Sequence, residues 1–149
     1  RRMCVPLPRR LLDVGSGAGL PGVVIALAFP GVDVDCVDAA AKKAAFVRQV
    51  AGALGLPNLK GLHSRVEDVP GHYGVITARA FSSLPDLVSR SGHALESGGA
   101  WMAMKGKIPT DEVAALPAEI EMFHVEQLQV PGLDAERCLV WMRRRGALT

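Results

Sequence analysis

Aromatic side chains are scarce in this chain, 5% of its 149 residues. A core short of them must be filled by aliphatics, which suits a sheet covered by alanine-rich helices. Cysteine is sparse as well. Cys4, Cys36 and Cys138 stand far apart and form no CxxC or CxxH pattern, so a metal site has little support. An odd, scattered set fits free thiols in a reducing cytoplasm. Cys36 and Cys138 sit inside apolar runs and read as core residues. No apolar stretch approaches the ~18 residues of a membrane span. The first ten residues mix Arg and Pro without the apolar run of a signal peptide. Charge excess is also lacking. The formal net charge is +2, too small to announce a polyanionic partner. Arg1, Arg2, Arg9 and Arg10 cluster at one end and Arg143, Arg144 and Arg145 at the other. These are either two solvated basic ends or a collar for phosphates.

What is abundant is Leu, Val, Ala and Gly. Hydrophobic residues make up 49%, which excludes a disordered chain, and the length suits one domain with a real core. Residues 1–9 read as an irregular lead-in and 10–145 as the domain. The chain starts at Arg1 rather than Met and reads as a piece of something longer. Leu11, Leu12 and Val14 predict a short buried strand that stops at Gly15. A glycine loop over 15–22 then opens a helix over 23–29. A second strand over 32–37 ends at Asp38. A helix over 40–54 follows, with Ala41, Ala45, Val47 and Leu54 on its apolar side, Lys42, Lys43, Arg48 and Gln49 on its polar side, and Gly55 as its end. Strands are expected over 59–62 and 73–78, then a helix over 84–95 and a strand over 100–104. Thr110 is expected to cap a short helix over 110–116. An extended segment over 119–130, a loop at Pro131-Gly132 and a strand over 138–142 close the chain. The β-α-β-α order predicts an α/β Rossmann-like fold. Its sheet is mostly parallel and seven-stranded, with helices on both faces and a C-terminal antiparallel hairpin.

The strongest local signal is Asp13-Val14-Gly15-Ser16-Gly17-Ala18-Gly19 after an apolar strand. Glycines let the backbone turn tightly and admit a ligand without Cβ atoms in the way. A dinucleotide fingerprint would place its third Gly at position 20, which is Leu20. A Walker loop would end in Gly-Lys-Ser/Thr, which is missing. The spacing is GxGxG behind an acid, which resembles the first motif of class I methyltransferases. S-adenosylmethionine carries no pyrophosphate, so phosphate-binding geometry is not required. It carries an ammonium and a sulfonium, which Asp13 would favour. The plain alternative is a tight strand–helix turn with no ligand. Asp38, nineteen residues after Gly19, can accept both hydroxyls of a ribose or cap the following helix. In the segment His63-Ser64-Arg65-Val66-Glu67-Asp68, a backbone N–H near Val66 could read an adenine nitrogen.

Several segments together resemble the RsmG/GidB family. They are Gly19-Leu20-Pro21-Gly22 with Pro at the helix start, Lys42 to Val50, Ser64-Arg65-Val66-Glu67, Thr77 to Leu84, Met104-Lys105-Gly106-Lys107, and Leu128 to Arg137. The resemblance covers nearly all of 11–142. It implies a class I methyltransferase that moves a methyl group from S-adenosylmethionine to guanine N7 in 16S ribosomal RNA of the small subunit, leaving S-adenosylhomocysteine. Carried over residue by residue, Gly15, Leu20, Val66, Glu67 and Arg79 match cofactor contacts, with Asp13, Gly17 and Gly19 in the same loop. Asp38 matches the ribose acid. Arg79 and Lys105 are the candidate catalytic residues, and Arg79, Lys105, Lys107 and Arg137 the candidate RNA contacts. Arg79 could instead cap a helix, and Lys105 could be a solvated lysine. The resemblance implies no metal and no membrane, a cytoplasmic location and a monomer. Family members carry several dozen further residues before the first strand, and Cys138 stands where they commonly have His.

Guanine N7 has a lone pair and no proton, so its methylation needs no general base. His63, His72, His93 and His124 form no triad and read as surface residues. Catalysis would then rest on alignment, worth roughly 7–11 kcal/mol. Competing readings are a methyltransferase with a protein or small-molecule acceptor, an NAD-dependent oxidoreductase, which Leu20 opposes, and a catalytically impaired fragment acting as a binding module.

Overall fold

The computed structural model describes residues 7–15, 21–79, 83–128 and 137–146. Among the described residues, thirteen runs of regular structure follow in chain order. Strand β1 (Arg10–Val14) leads to helix α1 (Gly22–Ala28), β2 (Asp33–Asp38), α2 (Ala41–Leu54) and β3 (Leu59–His63). A 3₁₀ turn over Val66–Asp68 precedes β4 (Tyr73–Arg79) and α3 (Leu84–Ser91). A second 3₁₀ turn over Gly92–Ala94 leads to β5 (Leu95–Lys105), α4 (Thr110–Ala114), β6 (Ile120–Leu128) and β7 (Arg137–Arg144). The strands form one seven-stranded sheet in the order β3-β2-β1-β4-β5-β7-β6. The first five pair in parallel, and β7 runs antiparallel between β5 and β6.

Strand side chains alternate between faces, and the two faces fill two cores. Leu12, Val14, Ile76, Ala78 and Trp101 pack under Leu84, Leu87 and Val88 of α3. Leu11, Val34, Cys36, Val75 and Met102 face the other way, with Ala26 of α1 and Val47 of α2. Strands buried on both faces read as continuous apolar runs, which is why β1 was legible as one. Both Cys36 and Cys138 are buried, as expected, and all four histidines are exposed. Cys4 lies outside the described residues. Among the described residues no helix is long and apolar enough to cross a membrane.

Three local expectations need correction. First, α2 buries Ala44 and Val47, while Ala41 is exposed and Leu54 is 52% exposed. The face is set by β3, where a Cβ at Gly61 would collide with the Ala44 carbonyl. Close backbone approach at that point rotates the contact stripe onto 44 and 47. Gly55 does end this helix, in the left-handed conformation at φ 63°. Second, the segment 84–95 is not one helix, and β5 begins well before Ala100. Ser91 Oγ donates back to the Leu87 carbonyl and accepts from Trp101 Nε1. Arg144 takes the Gly92 and Leu95 carbonyls. The chain therefore leaves the helix at Gly92 and pairs at once, Leu95 opposite Tyr73. A bulge follows before Ala100 meets Val75, with Gly98 at φ 80° inside it. Third, α4 ends at Ala114, and Thr110 is its first residue rather than its cap. The Pro109 carbonyl already accepts from the Val113 N–H.

The basic ends lie together at the amino edge of the parallel strands. Arg10 opens β1, while β7 runs the other way and finishes there. Arg10 pairs with Asp35 at 3.2 Å and lies over the Tyr73 ring. Arg143 and Arg145 both pair with Glu121. These three arginines are engaged in ion pairs at the edge away from Gly15. Arg1 and Arg2 lie outside the described residues.

Candidate cofactor and acceptor site

Ligands in open α/β sheets bind beyond the carboxyl ends of the strands, and the chemistry-bearing residues gather there. Gly15 leaves β1 at φ 61°, a backbone state that favours glycine. Its N–H donates to the Val37 carbonyl at 2.9 Å, which ties the start of the loop across the end of β2. Asp13 is fully buried. One carboxylate oxygen accepts from the Gly22 N–H at 2.9 Å and the other from Thr77 Oγ1 at 2.9 Å. It thus joins β1, α1 and β4. Gly22 is required for this approach. A Cβ there would stand 2.5 Å from Cys36 Sγ and 2.8 Å from Asp13 Oδ2. Gly17, Gly19 and Leu20 lie outside the described residues.

Asp38 ends β2 half-buried. Its Oδ1 accepts from the Ala40 N–H at 2.8 Å, so it braces the turn into α2, although Ala40 is the helix cap. The neighbouring strand steadies that turn. The Ser64 N–H donates to the Asp38 carbonyl at 3.0 Å, and His63 Nε2 lies 3.2 Å from the Ala39 carbonyl. Beyond β3, Val66 is buried and Glu67 is held by two arginines. Arg65 donates to one of its oxygens at 2.8 Å and Arg90 to the other at 3.0 Å. Arg90 also pairs with Asp86 one turn earlier in α3. Desolvation pushes the Glu67 carboxyl up, but the Arg90 and Arg65 bonds with the Arg90 charge outweigh it and hold it below its ordinary value.

These elements surround an open cavity of about 280 Å³ lined by Gly15, Asp38, Ala39, Ser64, Arg65, Val66 and Arg90, with Val14 and Val37 at its floor. That is close to the lower end of small-ligand clefts, roughly 300–1,000 Å³. Of the expected cofactor residues, Gly15, Asp38 and Val66 line it. Glu67 stands behind, holding Arg65 and Arg90. Arg90 was not singled out from sequence, although the Asp86/Arg90 spacing marks an ion pair on one helix face.

The expected acceptor residues occupy the same sheet edge further along. Arg79 is the last residue of β4, exposed, opposite Met104. Lys105 ends β5 opposite Cys138 of β7. Its ammonium pairs with Glu112 of α4 at 3.0 Å, so it is not a simply solvated lysine. Glu112 also accepts the Leu84 N–H at 2.8 Å. Lys107 is exposed just after β5, and Arg137 is exposed at the first position of β7. Cys138 is buried in the sheet. Among the described residues no group of His, Cys, Asp and Glu could hold a metal ion.

Comparison with known proteins gives the arrangement a context. A family model described as rRNA small subunit methyltransferase G (GidB) matches residues 4–140. The chain belongs to the rRNA small subunit methyltransferase G family. A curated relative of that name from Polaromonas sp. (strain JS666 / ATCC BAA-500) is 66% identical over 137 residues, 92% of this chain and 61% of its own length. One from Acidovorax ebreus is 60% identical over 139 residues, 93% of this chain and 62% of its own length. The chain thus spans about three fifths of the curated relatives it matches. Among solved structures, TrmN from Thermus thermophilus superposes with a TM-score of 0.75 at 20% identity, over 91% of this chain and 44% of TrmN. Coclaurine N-methyltransferase bound to N-methylheliamine and SAH superposes at 0.65 with 11% identity, over 80% of this chain and 46% of that one. Likeness at that identity reports the fold, which in this family is the Rossmann-like methyltransferase sheet with its closing hairpin.

Proposed function

We propose that the chain carries the catalytic domain, residues 10–145, of an enzyme that methylates N7 of a guanine in 16S ribosomal RNA of the small subunit, with S-adenosylmethionine as methyl donor. One observation carries this: in a member of this family, the cavity at the carboxyl edge brings Gly15, Asp38 and Val66 to one opening. A nucleoside cofactor fits those residues. Asp38 would accept the ribose hydroxyls, the tight exit at Gly15 would admit the amino-acid end, and the backbone at Val66 would meet the base. Leu20, Glu67 and Arg79 complete the proposed set, with Asp13, Gly17 and Gly19 shaping the loop. Bound S-adenosylmethionine supplies a methyl group on a positively charged sulfur.

The acceptor would enter beside Arg79, Lys105, Lys107 and Arg137. N7 carries no proton, so no side chain has to remove one. Arg79 would place the guanine, and the lysines would meet phosphates, which fix position. The reading takes the enzyme as a cytoplasmic monomer working without a metal. Methyl transfer from labelled cofactor is measured with 30S subunits and, separately, with protein and small-molecule acceptors. Label in the subunits alone is expected; preferential labelling of the others would transfer the site to a different acceptor class.

A further inference from the structure

The cavity has a wall that the proposed cofactor set does not use. Arg90 sits in the last turn of α3, on the opposite face of the sheet from α1 and α2. Ala39, another lining residue, lies in the turn from β2 into α2. The opening is thus bordered by groups from both helical layers. On the α3 side the group is a planar cation, and it is fixed in place. Glu67 holds its Nε at 3.0 Å and Asp86 pairs with Nη1 at 3.5 Å. Glu67 is in turn held by Arg65. Two carboxylates anchor a side chain that would otherwise carry large rotamer freedom. An arginine so fixed beside a cavity is pre-organised to meet a flat, neutral, π-rich surface.

We propose that Arg90 is a cofactor-binding residue that packs its guanidinium plane on the base of the bound cofactor, with Glu67 and Asp86 as the positioning residues that hold the plane. This rests on the cofactor reading above and deepens it. The location decides which part of the ligand is met. Arg90 is bonded to the neighbour of Val66 and lines the cavity beside it, whereas Arg79 stands at the end of β4 toward the acceptor side. The base end, and not the amino-acid end, therefore falls to Arg90.

The test uses the full-length protein and two ligands, S-adenosylhomocysteine and 5′-methylthioadenosine, which shares the nucleoside but lacks the amino-acid end. Dissociation constants are measured by calorimetry for wild type, Arg90→Ala and Arg90→Lys, with thermal melts to verify folding. Arg90→Ala should weaken both ligands by the same factor, about five- to tenfold. Arg90→Lys keeps the charge but not the plane and should fall between. It also serves as the readout if the alanine variant does not fold. Unchanged affinity for both ligands in a folded variant would overturn the inference while leaving the cofactor reading intact. A loss confined to S-adenosylhomocysteine would overturn it too, because Arg90 would then be gripping the amino-acid carboxylate. Failure of the wild type to bind either ligand would defeat the cofactor reading itself.

Discussion

Asp38 and Arg79 are asked to do different work, and single substitutions separate them. Asp38→Ala removes the proposed ribose acceptor and the brace to Ala40. It should weaken S-adenosylhomocysteine by tenfold or more, about 1.4 kcal/mol, read by calorimetry. The Arg79 side chain is exposed and makes no hydrogen bond or ion pair among the described residues, so Arg79→Ala should leave the melting temperature within about 1–2 °C of wild type. It should lower kcat/KM on 30S subunits by roughly 100-fold. Near-normal turnover would remove it from the site. Glu67 makes a pH-dependent contribution of definite sign. Its folded pKa lies below the ordinary 4.5, so the stability it adds is present above that value. It is lost as pH falls through the lowered folded value. The melting difference between wild type and Glu67→Gln should thus be constant near neutrality and vanish only below about pH 4.5. A difference fading between pH 6 and 8 would contradict the two-arginine clamp. At this scale the sequence pointed to Asp38, which ends β2, and to Val66, in the turn beyond β3, and both line the cavity. Arg90 escaped because its role comes from α3 crossing to the cavity, a contact between residues 23 positions apart. Asp13 was legible as an acid by a glycine loop, but its direction, down toward Gly22 and Thr77, was not.

The elements are tied by buried polar groups that leave little trace in a hydrophobic pattern. Asn58, before β3, donates through one amide nitrogen to the Ala26, Phe29 and Val32 carbonyls. It closes the end of α1 onto the entry to β2. Asn58→Ala strands these buried acceptors and should cost about 1–3 kcal/mol, measured by denaturant unfolding. Less than about 0.5 kcal/mol would mean that water replaces the amide easily. Thr77 donates to Asp13 in the same manner, under the glycine loop. Helices and strands were placed well wherever burial was two-sided or a glycine marked an end, as at β1, β2 and Gly55. They were misplaced where a distant group decided the matter. Arg144, fifty-two positions from Gly92, takes the carbonyls at which α3 gives way to β5. No local pattern between 84 and 95 announces that partner.

At the scale of the whole molecule the described cations gather at the two edges of the sheet. Its amino edge holds arginines locked into carboxylates and carbonyls. Its carboxyl edge carries Arg65, Arg79, Lys107 and Arg137 around the proposed cofactor cavity and acceptor mouth. A small net charge conceals that division, which is why the composition gave no sign of a polyanionic partner. The parallel order and the closing hairpin followed from the β-α alternation and its failure after α4. The insertion of β7 between β5 and β6 places Arg137 beside Lys105, and it depends on a long-range pairing that only the folded chain reveals. The most direct test of the account is to map methylated guanines in 16S ribosomal RNA after 30S subunits meet the full-length protein and labelled S-adenosylmethionine. The account predicts one guanine labelled at N7, with labelling lowered about tenfold or more in Asp38→Ala at low cofactor concentration. Label at another atom or on another molecule, or none from a protein that binds the cofactor, would contradict it.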